Sequence, residues 1–287
     1  MLVQGEKVII TLRELITHLS GIRTTSDQDL LHDWEFRIQN STQTVAMFAN
    51  DPLIAKPNTK FYYSNFGWNL IGAIVESVEK RSYHLVIRDF MRSIRMNSAQ
   101  MDTRLELVAN RSQNYYFEKD LQGNTHLRPA PITDSLRPVP HWPCGGVITN
   151  IEDLVTFGDQ MLQSYHGYNS HNPIKAETIK SMWNYQPPIF EGHTSMIIDG
   201  LQLNNISNRY VLGWNRYDFP IVPTDSTLSG LEILFHTGAI GGSSAIVAVL
   251  PEKWLVVAAI ANLGGVSDHL PNLVGEIYHL LANNNNN

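Results

Sequence analysis

Leu231 to Asn262 reads LEILFHTGAIGGSSAIVAVLPEKWLVVAAIAN. LEILFHT is an apolar run ending on a histidine, SAIVAVL follows a Gly-Ser-rich turn, and WLVVAAIAN follows Pro251, Glu252 and Lys253. Runs of this length, rich in β-branched residues and bounded by turn residues, predict three consecutive strands. Upstream, YVLGWNRY (210–217) predicts another strand, and LPNLVGEIYHLLA (270–282) has the spacing of an amphipathic helix. Consecutive strands with short connections pair antiparallel, so the fold class expected is α+β, a meander covered by the C-terminal helix.

The N-terminal two thirds is mostly helical. In TLRELITHLSG, Thr11 and Glu14 form a capping box, and Leu12, Leu15, Ile16 and Leu19 share a face, with Gly21 suited to the C′ position. A helix over about 12–19 follows. STQTVAMFAND (41–51), NFGWNLIGAIVESVEK (65–80), YHLVIRDFMRSI (83–94) and KAETIKSMW (175–183) predict further helices, and GGVITNIEDLVTFGDQML (145–162) predicts a turn, a Thr149/Glu152 capping box and a helix through Leu154, Phe157 and Met161. Between Asn97 and Trp142, Pro129, Pro131, Pro138 and Pro140 break the chain into irregular structure and short strands.

With 287 residues, of which 43% are hydrophobic, core size is no obstacle. The net charge of −6 leaves no basic stripe for nucleic acid or anionic lipid, which favours a small-molecule or peptide substrate. No apolar run is long enough to span a bilayer, and the N-terminus lacks the pattern of a signal peptide. The single cysteine, Cys144, has no second thiol to pair with and reads as a small residue in a packed turn. His166 and His171 fit no metal spacing and read as residues of a solvated loop.

Three places could carry chemistry. Tyr63 and Asn65, in FYYSNFG (61–67), sit just before a helix. A phenol there can relay a proton if a nearby cation lowers its pKa, and an amide can grip a carbonyl. His236-Thr237-Gly238 ends a strand, and the backbone beyond Gly238 offers an N–H to a developing oxyanion. The Gly145/Gly146 turn looks structural. Each has a plainer reading: Tyr63 as an aromatic at the border of the core, His236 as a polar strand end.

The order of the pieces ITLRELITHLSGI, KPNTKFYYSNFGWNLIGAIVESV, CGGVITNIEDLVTFG and FHTGAIGGSSAIVAVLPE resembles the serine β-lactamase-related family. That family includes class C β-lactamases, penicillin-binding DD-peptidases and some esterases, and NDPLIAKPNTKFYYSNFGW is similar to its animal mitochondrial branch. The resemblance implies a β-lactamase/transpeptidase-like fold in a single domain over 1–282. A helical lobe would occupy roughly 11–185, a sheet part roughly 205–282, and Asn283 to Asn287 would be a disordered tail. It also implies an acyl-enzyme mechanism acting on a peptide or small acyl substrate, without cofactor or metal. Tyr63-Ser64-Asn65 matches the family's Tyr-x-Asn motif and His236-Thr237-Gly238 its Lys/His-Thr-Gly motif. Tyr63 would shuttle the nucleophile's proton, and Asn65 would hold the substrate's carbonyl side. His236 would supply polarity or positive charge, and the Ala239 N–H half of the oxyanion hole. Thr237 and Gly238 would line the substrate.

The third motif, Ser-x-x-Lys, occurs once, as Ser77-Val78-Glu79-Lys80. It falls after the Tyr motif and in the last turn of its helix, with Ser77 expected on the apolar side and Lys80 on the polar side, so it reads as a decoy. Ser20, Ser243 and Ser244 read as turn residues. In the family the nucleophile helix lies upstream of the segment matching ITLRELITHLSGI, so the chain is expected to be incomplete at its N-terminus and inactive alone. Its last strands would then expose an unpaired edge. The alternative is a non-catalytic pseudoenzyme, or a scaffold that forms a homo-oligomer or filament. The mitochondrial branch, if it applies, implies a mitochondrial location.

Overall fold

In a computed structural model, residues 2–3, 6–26, 29, 39–102, 107–131, 142–168, 172–188, 207–218 and 230–284 are described. Pro138, Pro140 and His171 lie outside them. The elements are β1 (Leu2–Val3), β2 (Glu6–Lys7), α1 (Leu12–Ile16), α2 (Ser41–Thr44), α3 (Asn65–Glu79), α4 (Tyr83–Ser93), β3 (Gln100–Met101), β4 (Tyr115–Lys119) and β5 (Thr125–Pro129). There follow α5 (Trp142–Gly145), β6 (Val147–Ile148), α6 (Ile151–His166), α7 (Ala176–Trp183), β7 (Ser207–Val211), β8 (Trp214–Asp218), β9 (Glu232–Ile240), β10 (Ser243–Leu250), β11 (Leu255–Ala261) and α8 (Leu270–Asn284).

The main sheet is an antiparallel meander in the order β11-β10-β9-β8-β7. Side chains alternate across it with period two. Ile233, Phe235, Ile246, Ala248 and Leu250 pack on Leu270, Val274 and Tyr278 of α8. Leu234, Val247 and Val249 face the other way, onto Met161 and Leu162 of α6 and Ile179 and Trp183 of α7. The sheet is therefore covered on both faces, where the sequence accounted for one. Its edge strand β11 pairs only with β10 among the described residues, apart from a bridge between Tyr115 and Leu263 just beyond its end.

Five elements differ from the sequence expectation, each for a local reason. YVLGWNRY is not one strand: Gly213 takes φ +83, and Leu212-Gly213 turns β7 into β8. LEILFHT does not stop at Thr237, because β9 runs on to Ile240 and only Gly241-Gly242 make the turn into β10. Helix α6 is capped by Asn150, whose side chain accepts the Asp153 N–H at 2.8 Å, one residue later than the Thr149 box. The Thr11/Glu14 box forms as expected, but α1 stops at Ile16 because His18, not Gly21, takes the first left-handed position, with φ 59. At the C-terminus, Asn283 and Asn284 continue α8 rather than starting a disordered tail, since extending a formed helix costs little.

Candidate functional site

Ser64 is the N-cap of α3, with its Oγ accepting the Gly67 N–H and donating to the Arg23 carbonyl, both at 2.9 Å. It is extended (φ −133, ψ 110), so its buried side chain and that of its neighbour point opposite ways. Tyr63 is thereby turned outward, 40% exposed. Asn65 follows, with its backbone N–H on Thr24 Oγ1 and its Nδ2 on Thr25 Oγ1, each at 3.2 Å. The helix cap thus sets the orientation of both flanking side chains.

His236 to Ala239 lie on β9 beyond its partner. Strand β8 pairs with Glu232 to Phe235, whereas β10 pairs on to Ile240, so His236 to Ile240 have a neighbour on one side only among the described residues. A methyl group built on Gly238 would meet nothing within 4 Å, and Ala239 is exposed. By alternation His236 faces the same side as Leu234, which is the helical side. Its Nδ1 lies 2.6 Å from the Thr237 carbonyl and so carries the proton; its Nε2, 3.1 Å from the Tyr210 hydroxyl, then accepts from that phenol.

His18 joins the two segments. Its ring is fully buried and packs at 4.1 Å from the Tyr63 ring and 4.7 Å from the Tyr210 ring. Its Nδ1 accepts the Ser64 N–H at 2.9 Å, and its Nε2 lies 3.4 Å from the donating Trp68 indole N–H. Nothing in the sequence reading singled out His18 or Tyr210. The available signal was a polar residue inside the helix-end run THLSG, and that signal is weak.

The electrostatics are those of a neutral cluster. Burial, with His236 nearby, holds the His18 pKa down at about 3. Burial also lowers His236, partly offset by the Thr237 carbonyl. Burial and the neighbouring Cys144 thiol push the Tyr63 phenol up to about 12, and burial drives Tyr210 up as well. Among the described residues no cation lowers the Tyr63 phenol, which is therefore protonated in this structure. The lowered His236 value favours its neutral ring in this structure.

The Cys144-Gly145-Gly146 turn proves to border the site. Trp142 Nε1 donates to the Asp102 carbonyl at 2.8 Å, and the Asp102 N–H donates to the Gly146 carbonyl at 2.7 Å. A Cβ on Gly72 of α3 would fall 2.3 Å from Pro143 Cγ, and one on Gly145 would fall 3.2 Å from Ile240 Cδ1. The turn is therefore wedged between α3 and the end of β9, which brings the Cys144 thiol within electrostatic reach of Tyr63.

Of the hydroxyls considered as nucleophiles, Ser243 starts β10 opposite Ile240 at the end of the β9–β10 pair, and the others are otherwise placed. Ser77 and Lys80 are both exposed at the C-terminal end of α3, Lys80 being its left-handed C-cap; Ser77 is not on the apolar side as the wheel had it. Ser20 Oγ is buried and accepts the Ile22 N–H at 3.3 Å. Ser244 Oγ donates to the Leu263 carbonyl at 2.9 Å. His166, expected on a solvated loop, ends α6, stacks on Trp254 at 3.8 Å and bonds the Pro251 carbonyl through Nε2 at 3.0 Å. Among the described residues no cluster of three histidine, cysteine or acidic side chains could hold a metal ion.

A fold of this kind, with Tyr-Ser-Asn at a helix N-terminus facing His-Thr-Gly on a sheet strand, is that of the serine β-lactamases and penicillin-binding proteins. The Beta-lactamase family profile matches residues 4–272, and the chain belongs to that family. It is 27% identical over 229 residues to the mitochondrial serine beta-lactamase-like protein LACTB of Mus musculus, covering 76% of this chain and 37% of that protein. It is 22% identical over 284 residues to Protein flp of Staphylococcus aureus (strain N315), covering 97% of this chain and 48% of that protein. The chain thus spans less than half the length of these curated relatives. Among solved structures, D-amino acid amidase from Ochrobactrum anthropi SV3 superposes with a TM-score of 0.68 at 16% identity, over 96% of this chain and 72% of that one.

Proposed function

We propose that the chain carries the substrate-holding and proton-relay walls of an acyl-transfer hydrolase, which opens an amide, peptide or ester bond through a serine acyl-enzyme. The observation that carries the reading is the open edge of β9 at His236 to Ile240, linked to Tyr63 through Tyr210 and His18. An extended acyl chain would lie along that edge, as a strand lies on a strand. The Ala239 N–H would stabilise the oxyanion as the serine Oγ bonds to the carbonyl carbon. Tyr63 would take the serine's proton while passing its own to the leaving nitrogen or oxygen, so that it is a neutral phenol before and after the step. Water would then release the acyl group by the reverse relay. Asn65 Oδ1 and its second amide hydrogen would hold the substrate's carbonyl side, with Thr237 and Gly238 along its backbone.

In this reading the nucleophile and its lysine come from outside the residues placed around Tyr63, since Ser20, Ser64, Ser77 and Ser244 are structural or remote. The same open edge favours a second reading in which the fold is a non-catalytic scaffold that self-associates. A fluorophosphonate serine probe separates the two on the native protein. Labelling that survives Ser77→Ala and is lost with a different serine supports the hydrolase; a native protein of this length that never labels, and that sediments as an oligomer or filament, leaves the scaffold. By analogy with LACTB a mitochondrial location is proposed, to be checked by fractionation.

A further inference from the structure

His18 holds Tyr63 from three directions. Its carbonyl accepts the Tyr62 N–H at 2.9 Å, and its Nδ1 accepts the Ser64 N–H at 2.9 Å, so the residues on either side of Tyr63 are both tied to it. Its ring, tilted 31° from that of Tyr63, packs against it at 4.1 Å. On another side it meets Tyr210, whose hydroxyl donates to His236 Nε2. Phe61 and Trp68 complete the surround, with ring centroids 5.8 Å and 6.4 Å away. A histidine is a poor choice for this place on packing grounds alone. It sits at φ 59, where non-glycine residues are uncommon, and its buried ring needs partners, which the Ser64 N–H and, at 3.4 Å, the Trp68 indole N–H supply. What only an imidazole supplies here is a flat face for the phenol together with an in-plane acceptor for the next amide.

We propose that His18 is a positioning residue for the acyl-transfer site, fixing the Tyr63 phenol by bracketing its backbone and stacking on its ring, and that Tyr210 extends the same control to His236. It rests on the acyl-transfer reading of the same site, yet its geometry can be tested without turnover. Strained backbone held by its surroundings is a common mark of such positions. Because His18 lies 46 residues from Ser64 in sequence and Tyr210 lies 26 from His236, the device ties the helical segment to the sheet.

The test uses the whole chain with 3-fluorotyrosine at position 63 and 15N-labelled histidine and backbone. In the wild type the Ser64 amide proton is shifted downfield by its imidazole acceptor, and His236 shows a protonated Nδ1. His18→Phe keeps a flat ring but removes the acceptor, and is expected to move the Ser64 amide and the Tyr63 fluorine signals. His18→Asn, which tolerates left-handed backbone and offers Oδ1 as acceptor, is expected to restore the Ser64 amide but not the fluorine shift. Tyr210→Phe is expected to move the His236 Nε2 signal while leaving the Ser64 amide in place, and serves if His18→Phe does not fold. Folded variants in which the Tyr63 and His236 signals stay at their wild-type positions overturn the proposal. Where the native protein labels with fluorophosphonate, His18→Phe should slow labelling by about 10²-fold, the cost of roughly 1 Å of misplacement, with His18→Asn intermediate. A wild type that never labels removes the acyl-transfer reading alone, because the spectroscopic outcomes stand without it.

Discussion

Replacing Ser64 by alanine separates a structural serine from a chemical one inside the Tyr-Ser-Asn motif. Ser64 Oγ makes two hydrogen bonds, accepting from the Gly67 N–H and donating to the Arg23 carbonyl, and the residue is 1% exposed. Loss of an N-cap acceptor costs about 1 kcal/mol, within a range of about 0.5–2. Water cannot replace it at a buried position, so the Gly67 amide pays toward the upper part of that range. The Arg23 carbonyl loses its donor as well, which adds about 0.5–1.5 kcal/mol. A total of about 2–3 kcal/mol lowers the melting temperature of a chain this size by roughly 4–12 °C, at about 2–4 °C per kcal/mol. Differential scanning calorimetry of Ser64→Ala and Ser64→Gly against wild type measures it, with fluorophosphonate labelling on the same samples. Glycine is usually nearly as good as serine at an exposed N-cap, but here it should fall as far as alanine, because burial excludes the water that compensates. An alanine variant that melts within 1 °C of wild type refutes the capping account. One that melts normally but loses labelling shows that Ser64 does chemistry.

Three further outcomes follow from the same geometry. Because His18 and His236 are held below the ordinary value of 6.5 by burial, the unfolded chain binds more protons than the folded one below that pH, and stability falls as pH drops from about 6.5. The His18 share is complete near its folded value of about 3 and amounts to about 5 kcal/mol at most, so His18→Asn should flatten the melting temperature against pH between 6.5 and 4; an unchanged slope refutes it. Asp29 acts lower on the scale: burial pushes its carboxyl up, but hydrogen bonds from Arg23 and Ser26 hold it at about 2, and its contribution is lost only below about 3.8. Gly72→Ala would put a methyl group 2.3 Å from Pro143 Cγ, and should cost about 1–3 kcal/mol and raise the reactivity of Cys144 toward a thiol reagent as the turn is pushed from α3; unchanged melting and thiol kinetics would show that the turn yields freely. Ser77→Ala, at the exposed end of α3, should change stability by less than about 0.5 kcal/mol and leave labelling intact, and a loss of labelling would make it a nucleophile after all.

How much could be read in advance depended on the range of the interaction that decided each feature. The Thr11/Glu14 box, α3, α4, α7 and the β9–β11 meander rest on patterns within a few residues, and local chemistry determines them. Where a neighbour in sequence competed for the same job, the reading slipped by one or two positions. Asn150 out-competed Thr149 for the α6 cap, and His18 reached left-handed backbone before Gly21. The extent of β9 was misread because a strand end is set by its partner: β10 continues opposite Thr237 to Ile240, and glycine and threonine inside a paired strand look like a loop in isolation. The motif residues Tyr63, Asn65, His236 and Thr237 were legible through the family resemblance. The groups that arrange them were not, because each acts through a contact with no local signature. A buried histidine is placed by the Ser64 amide, the Trp68 indole and the Tyr63 and Tyr210 rings around it, and Cys144, read as a small turn residue, is held by the fit of Pro143 against Gly72. The same reasoning bears on Asn69, buried on α3 with neither side-chain oxygen nor nitrogen bonded among the described residues. An orphaned buried amide is costly, about 1–3 kcal/mol, and nothing local to Asn69 in the sequence announces that cost.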